Sequence, residues 1–254
     1  MANSTSGDAV LTRAVRVIQA FDAQNPQLSA AQIAARAGLP RTTAYRLAAQ
    51  MTQLGLLVHR PDGSYRLGLM LWEVATRSSS TQDLASSALP FMEDVNQLVR
   101  HSTQLSVLDH SEVLVLERLS RPGHAVNQAR RASRMPVHLT SMGMVLLAHA
   151  RPGVLDEFLR AHGEEAQARH PQLRRELDHI RRQGYATFDG FIDPETTGIA
   201  VPILDARGTA MAALSVVVPR GYDAVPAAVM SLRTAARGIA RELSPQRGRS
   251  ASTP

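Results

Sequence analysis

The run Leu28-Ser29-Ala30-Ala31-Gln32-Ile33-Ala34-Ala35-Arg36-Ala37-Gly38-Leu39-Pro40-Arg41-Thr42-Thr43-Ala44-Tyr45-Arg46-Leu47 decides the fold. Ser29 is placed to cap a helix, and Gln32, three residues on, closes a capping box in which each side chain accepts from a backbone N–H of the other. Leu28 and Ile33 flank that start as a hydrophobic staple. Ile33, Ala34 and Ala37 face inward on a short helix, and Gly38 ends it because glycine tolerates the left-handed conformation of a helix C-terminus. Pro40 fits the first turn of a further helix, where its missing N–H has no acceptor to lose. On that helix Ala44, Leu47, Met51 and Leu54 form an apolar stripe. The opposite face of its first turns carries Arg41, Thr42, Thr43, Tyr45 and Arg46. A short capped helix, a glycine turn and a second helix with a polar, cationic start form the layout that enters a DNA major groove. Hydroxyls and helix-end amides there bond phosphates, and arginine forks onto guanine.

Outward from this core the pattern is consistent. Upstream, Leu11, Ala14, Val15, Ile18 and Phe21 recur at helical spacing, which predicts a helix from about Val10 to Asp22, broken by Asn25-Pro26. Downstream, Gly55 stops the second helix of the pair. Leu56-Leu57-Val58 and Ser64-Tyr65-Arg66-Leu67 then read as a hairpin around Pro61-Asp62-Gly63. Such a wing places Arg60 and Arg66 along the backbone or minor groove of a duplex.

Charge is distributed to match. The chain has no lysine, so all 28 basic residues are arginine. Genomic base bias explains an alanine-rich, lysine-free composition as well as selection for arginine does, so position carries more weight. Residues 9–68 hold seven arginines and two acids, a balance of +5, whereas residues 69–254 hold 21 arginines and 19 acids, a balance of +2. The excess sits where an electrostatic DNA footprint is expected. A protein-interaction module made of the same small helices is the competing reading of this segment.

Beyond it, Leu69, Leu71, Trp72 and Ala75 begin a helix that runs into the polar Arg77–Gln82 stretch. A tryptophan just outside a small domain suits a dimer-forming linker helix, since helix-turn-helix proteins pair to read two half-sites. From Leu84 the pattern is α+β. A helix carries Leu84, Ala88, Leu89, Met92, Val95 and Val99, and strands follow at 104–108 and 113–119. A further strand near Ala125–Ala129 leads to Met135-Pro136-Val137-His138. Helices follow at about 142–148, 154–161 and 173–183. A hairpin of 199–204 and 210–218 turns at Asp205-Ala206-Arg207-Gly208, and a last helix carries Val225, Val229, Leu232, Ala236 and Ile239 inward. The expected organisation is a disordered 1–8, a winged helix-turn-helix over 9–68, a linker helix over 69–82, an effector-type domain over 83–243 and a disordered 244–254.

Other classes are disfavoured. Cysteine is absent, which removes disulfides, thiol catalysis and thiolate metal sites. No apolar run reaches the roughly 18–20 residues of a membrane span. Met1–Asp8 lacks the pattern of a secretory signal, so a cytoplasmic location is expected. Nucleophile-elbow, Walker, dinucleotide and His-Glu-x-x-His motifs are missing, and the nine histidines are scattered. Asp189, Asp193 and His138 make an acid–base set only if the tertiary fold brings them together. No catalytic residue, metal ligand or cofactor is expected.

Arg13-Ala14-Val15, Leu28-Ser29, Ile33-Ala34, Gly38 through Leu47, Leu54-Gly55-Leu56 and Tyr65-Arg66-Leu67-Gly68 together resemble the IclR family of bacterial transcription regulators. The resemblance continues through Pro136-Val137-His138 to Gly143, Gly184-Tyr185-Ala186, Ile199-Ala200-Val201-Pro202 and Ala212-Ala213-Leu214-Ser215. It implies an α+β fold: an N-terminal winged helix-turn-helix joined by a linker helix to a GAF-like effector domain, an antiparallel sheet flanked by helices. It implies that Thr42, Thr43 and Arg46 are principal contacts to double-stranded operator DNA, with Arg13 helping. It further implies a homodimer or dimer of dimers, with a small-molecule effector bound between the sheet and the 140–143 loop. By position that pocket comprises Ser141, Met142, Phe188, Asp189, Gly198, Ser215 and Val217. Relatives that bind small keto acids tend to have an acid at the Phe188 position, cysteine at Gly198 and serine at Val217. The ring and the valine here favour a larger, less polar ligand, an aromatic acid or a close derivative, unless both are simply core. Arg130, Arg131 and Arg134 suit either a carboxylate or a solvated face. Repression is the default output, activation the alternative.

Overall fold

The computed structural model describes residues 10–78, 80–120 and 129–244. The strand expected near 125–129 lies outside them apart from Ala129, as do the terminal segments 1–8 and 245–254. The chain falls into two compact units, residues 1–79 and 80–254.

In the first unit α1 (Val10–Gln19), α2 (Ala30–Ala37) and α3 (Arg41–Gln53) pack around Val17, Ile33, Ala44, Leu47 and Ala48. The capping box forms as the sequence predicts: the Gln32 amide donates to Ser29 Oγ over 3.3 Å, and the Ser29 amide donates to Gln32 Oε1 over 2.8 Å. Gly38 ends α2 at φ 63°. Pro40 takes the N-cap position of α3 rather than its first turn, with an extended ψ of 141°. The hairpin is β2 (Leu57–His59) with β3 (Ser64–Leu67), and a strand the sequence did not announce, β1 (Leu28–Ser29), adds to β3 in the order β1-β3-β2. Leu28 pairs with Tyr65, so the residues that open α2 also anchor the wing.

Two apolar stripes turn differently from the expectation. On α1 the buried face is Val17 with Ala20 and Phe21 beyond it, while Leu11 is 79% and Val15 50% exposed. On α3 Ala48 is buried and Leu54 is 65% exposed. Periodicity fixes that a helix has an apolar side, but the neighbours it meets fix which residues of a broad stripe go under. The unit ends with α4 (Leu69–Ser78), on which Leu69, Met70, Trp72 and Val74 are exposed.

The second unit is a six-stranded antiparallel sheet between two helical layers, in the order β6-β5-β4-β9-β8-β7. The strands are β4 (Ser102–Asp109), β5 (Glu112–Leu119), β6 (Arg134–Pro136), β7 (Ala186–Asp189), β8 (Thr196–Leu204) and β9 (Ala210–Pro219). One face packs Leu105, Ile199, Val201, Leu214 and Val216 against α5 (Ser80–Val99) and α9 (Val225–Leu243). Pro90 lies inside α5 on its exposed side. The other face presents the small residues Ala186, Ala200 and Ala213, on which α6 (Ser141–Ala148) lies, its eight residues all buried. Outside α6 run α7 (Val154–Arg169) and α8 (Leu173–Gln183). The helix expected to end near Ala161 breaks at His162, φ −134° and ψ 17°, then resumes to Arg169. Among the described residues no helix is long and apolar enough to cross a membrane.

Candidate nucleic-acid interface and ligand cavity

On the first unit, α3 displays Arg41, Thr42, Tyr45 and Arg46 to solvent, with Thr43 half-buried at the edge of the same surface. Arg66 is exposed on β3, paired across the wing with Val58. Arg13 and Arg60 are half-buried, and the Nε of each is enclosed without a hydrogen-bond partner among the described residues. None of Arg13, Arg41, Arg46, Arg60 and Arg66 enters an ion pair among the described residues. Arg36 behaves differently: its Nε donates to the Ala20 carbonyl over 2.6 Å and its Nη2 pairs with Asp22, tying α2 to the loop after α1. Asp62 in the wing turn accepts from the Ser64 hydroxyl over 2.6 Å and from the Ser64 amide over 2.9 Å, and these bonds hold its carboxyl below the usual range. The turn is therefore closed by its own residues, and its cations remain available.

The second unit holds a cavity of about 60 Å³ between the sheet and the start of α6. Sheet register explains who lines it. Phe188 pairs with Gly198, and Gly198 with Val217; one row further along, Ala200 pairs with Ser215, and Ser215 with Gln104. Directly paired residues share a face, so both rows look toward α6. Phe188, Gly198, Ser215 and Val217 line the cavity, as do Ser141 and Met142 from the helix. Asp189 does not. It is the next residue along β7 and points to the other face, where its Oδ1 accepts from the Thr197 hydroxyl over 2.6 Å. Strand alternation thus corrects its expected place in the pocket. Asp193 does line the cavity, with its Oδ1 accepting from the Glu195 amide over 3.0 Å.

α6 aims its N-terminus into this space. The Thr140 hydroxyl accepts from the Gly143 amide over 3.1 Å, whereas the first-turn amides of Ser141 and Met142 have no acceptor within the helix. With the helix dipole they make that end attractive to an anion. The chain can come so close because Gly198 lacks a side chain: a Cβ there would stand 2.9 Å from Ser141 Oγ. The Ser215 hydroxyl points at Met142 Sδ over 3.9 Å, a weak bond.

The cavity's aromatic wall extends past Phe188. Phe191 stacks on Phe188 with ring centroids 4.6 Å apart, and the buried His170 ring stacks on both, at 5.4 Å and 5.5 Å. His170 Nε2 lies 2.7 Å from the His138 carbonyl and Nδ1 lies 2.6 Å from a Glu176 oxygen. An acceptor thus stands beside each ring nitrogen. One ring therefore links the Phe wall, the turn before α6, and α8. His138, Asp189 and Asp193 form no acid–base set: His138 Nδ1 is buried without a hydrogen-bond partner among the described residues, and Asp189 is on the far face.

Sequence reading missed several of the lining residues. Gln104 is 1% exposed and lines the cavity, and Phe191 and Thr196 join it. Their only signal was a polar side chain inside an apolar strand and a second phenylalanine three residues after the first. The Arg130–Arg134 cluster is mostly neutralised, since Arg134 pairs with Asp109 and Glu112 and Arg131 with Glu117 at 3.5 Å. Arg118, opposite Gln104 on β5, donates to Ser102 Oγ and the Ala129 carbonyl and has no acidic partner among the described residues.

Two stretches of the chain match known domains. Residues 10–61 match the IclR helix-turn-helix domain and residues 76–244 the bacterial transcriptional regulator IclR C-terminal domain. An IclR homolog from Microbacterium hydrocarbonoxydans, solved in complex with 4-hydroxybenzoate, is 44% identical with a TM-score of 0.84, covering 92% of this chain and 99% of that one. An IclR homolog from Microbacterium sp. strain HM58-2 is 42% identical with a TM-score of 0.58, covering 95% and 100%. The Pca regulon regulatory protein of Pseudomonas putida is 28% identical over 213 residues, 81% of this chain and 72% of that protein.

Proposed function

The chain belongs to the IclR family of bacterial transcriptional regulators, and from that premise we propose that it is a cytoplasmic repressor whose grip on its operator is altered by an aromatic acid. The observation that carries the DNA half is the unpaired cationic face of α3, Arg41 and Arg46 beside Thr42 and Thr43, flanked by Arg60 and Arg66 on the wing. Arg46 and the two threonines read the major groove, and Arg13 and the wing arginines hold phosphates. The exposed Leu69, Met70, Trp72 and Val74 of α4, with Val10, Leu11 and Val15 of α1, are the surface on which two copies pair. Apolar patches of that kind mark association sites, and pairing supplies the two half-sites of an operator.

The effector half rests on the cavity. Its walls are largely aromatic and apolar, and the α6 N-terminus adds free amides on one side, which suits one carboxylate on a ring. The 44% identical homolog that was solved with 4-hydroxybenzoate supports the same class of ligand. A cavity of about 60 Å³ is smaller than the ~150 Å³ that accommodates a benzene ring. An aromatic acid therefore binds by opening the space, displacing the Phe188–Phe191 wall or lifting α6. That gives the ligand different affinities for closed and open forms, which is the requirement for coupling to DNA affinity. On this reading the cavity binds and does not catalyse.

A mobility-shift assay on DNA upstream of the chain's own gene tests the reading. The expected result is a retarded complex that 4-hydroxybenzoate changes; absence of any sequence-specific complex, or one indifferent to every aromatic acid tried, counts against it.

A further inference from the structure

One polar side chain that lines the cavity carries a group with no answering partner among the described residues. Gln104 stands near the start of β4, 1% exposed, and its Nε2 is enclosed without a hydrogen bond among the described residues. Buried amides are normally bonded, and an unbonded one beside a cavity points to something that enters the cavity. Its strand neighbours do not serve. Ser215, opposite on β9, makes no hydrogen bond with it and points its own hydroxyl at Met142 Sδ. Arg118, opposite on β5, is itself only a donor, and it spends Nε and Nη1 on Ser102 Oγ at 3.3 Å and the Ala129 carbonyl at 2.8 Å.

We propose that Gln104 is a specificity-determining residue that binds a hydroxyl group on the effector ring, at the end remote from its carboxylate. This rests on reading the cavity as the aromatic-acid site. The two polar poles belong to different walls: the α6 N-terminus provides amides for the carboxylate, and Gln104 belongs to the sheet floor. A hydroxyl suits Gln104 because it accepts from the amide N–H₂ while keeping a proton to donate. A second carboxylate in that enclosed end forfeits its hydration for a single amide bond. An unsubstituted or methylated ring leaves the amide as orphaned as it is in the empty cavity, and a site built to bond a hydroxyl discriminates against the analogue lacking it.

The test uses the full-length protein with calorimetric titration of 4-hydroxybenzoate and 4-methylbenzoate, which share shape and carboxylate and differ in the hydroxyl. Wild type is expected to bind the hydroxy acid roughly two- to tenfold more tightly, the scale of one net hydrogen bond. Gln104→Met, which keeps length without polarity, is expected to abolish that ratio through loss of affinity for the hydroxy acid, with an unchanged or raised Tm in the absence of ligand. In the wild-type protein, the Gln104 side-chain amide resonance is expected to move with the hydroxy acid and stay with the methyl acid; this measurement decides the question if the variant fails to fold. Equal binding of the two acids by wild type, or an unaltered ratio in Gln104→Met, overturns the proposal while leaving the aromatic-acid reading intact. Failure of wild type to bind either acid overturns both.

Discussion

Gly143 and Val137 lie so close that a Cβ on the glycine would stand 2.3 Å from the Val137 carbonyl oxygen and 2.6 Å from its Cα. This contact seats the first turn of α6 on the turn that precedes it, and so sets where the Ser141 and Met142 amides meet the cavity. No side chain fits between two pieces of backbone.

Gly143→Ala is therefore expected to destabilise the second unit by about 1–3 kcal/mol, the range of an overpacked core, and to weaken effector binding more than DNA binding. Gly163→Ala is the control. A Cβ there meets nothing within 4 Å, so its thermal midpoint should hold or rise. Equal midpoints for the two variants would show that the Val137 contact yields easily.

Arg46→Ala and Arg36→Ala separate a DNA contact from a structural arginine. Arg46 is exposed and unpaired, whereas Arg36 bonds the Ala20 carbonyl and Asp22. Loss of Arg46 should cost about 1–3 kcal/mol of operator affinity, with thermal midpoint and effector binding unchanged. Loss of Arg36 should lower the midpoint and leave the salt dependence of operator binding as it was. Binding isotherms at several salt concentrations, paired with melting curves, read both; unaltered operator affinity in Arg46→Ala removes that residue from the interface.

Stability should fall toward mildly acidic pH. Burial holds the imidazoles of His138 and His149 below their ordinary range, and His149 Nδ1 lies 3.0 Å from the Val145 carbonyl, which the neutral ring can satisfy. The folded values are depressed, so the unfolded chain takes up protons first. Their contribution is fully present above the unfolded value of about 6.5 and is lost as pH drops below it. Asp109 and Asp205 are held low as well, Asp109 first by Arg134 and Asp205 first by the Thr209 amide, and they matter only in more acidic solution. Melting curves between about pH 7.5 and about pH 5.5 should show a declining midpoint, less steep in His149→Asn. A midpoint that holds or rises toward acid contradicts this assignment.

Trp72→Glu should weaken pairing of the chain. Trp72 is 67% exposed on α4 beside Leu69 at 72%, and a charge there opposes burial against a second copy. Sedimentation should show a shift toward smaller species, with operator affinity falling as two half-sites cease to be gripped together. An unchanged sedimentation profile places the pairing surface elsewhere.

Much of the first unit was legible because its signals are local. Ser29 and Gln32 cap a helix through atoms three residues apart, and Gly38 and Gly55 end helices by their own left-handed backbone. The inward faces were less legible: Leu11, Val15 and Leu54 read as core and are exposed, because several apolar residues compete and the packing partners choose among them. In the second unit the hairpins and α6 emerged from pattern, while the prolonged α7 did not, and in the first unit the added strand β1 did not.

What the sequence determined by itself was most of the helices and hairpins, the winged helix-turn-helix, and the polar face of α3, since capping, periodicity and turn chemistry act within a few residues. What only the tertiary structure decided was the effector cavity. Phe188 enters it and Asp189 does not because β7 pairs with β8 in one register and alternate side chains take opposite faces. Gln104 reaches the same space as Ser141 only because β4 and β9 are neighbours in the sheet and α6 lies across a surface of alanines. Pairings between segments more than a hundred residues apart in the chain are set by the collective burial of both sheet faces, and no single stretch of sequence contains them.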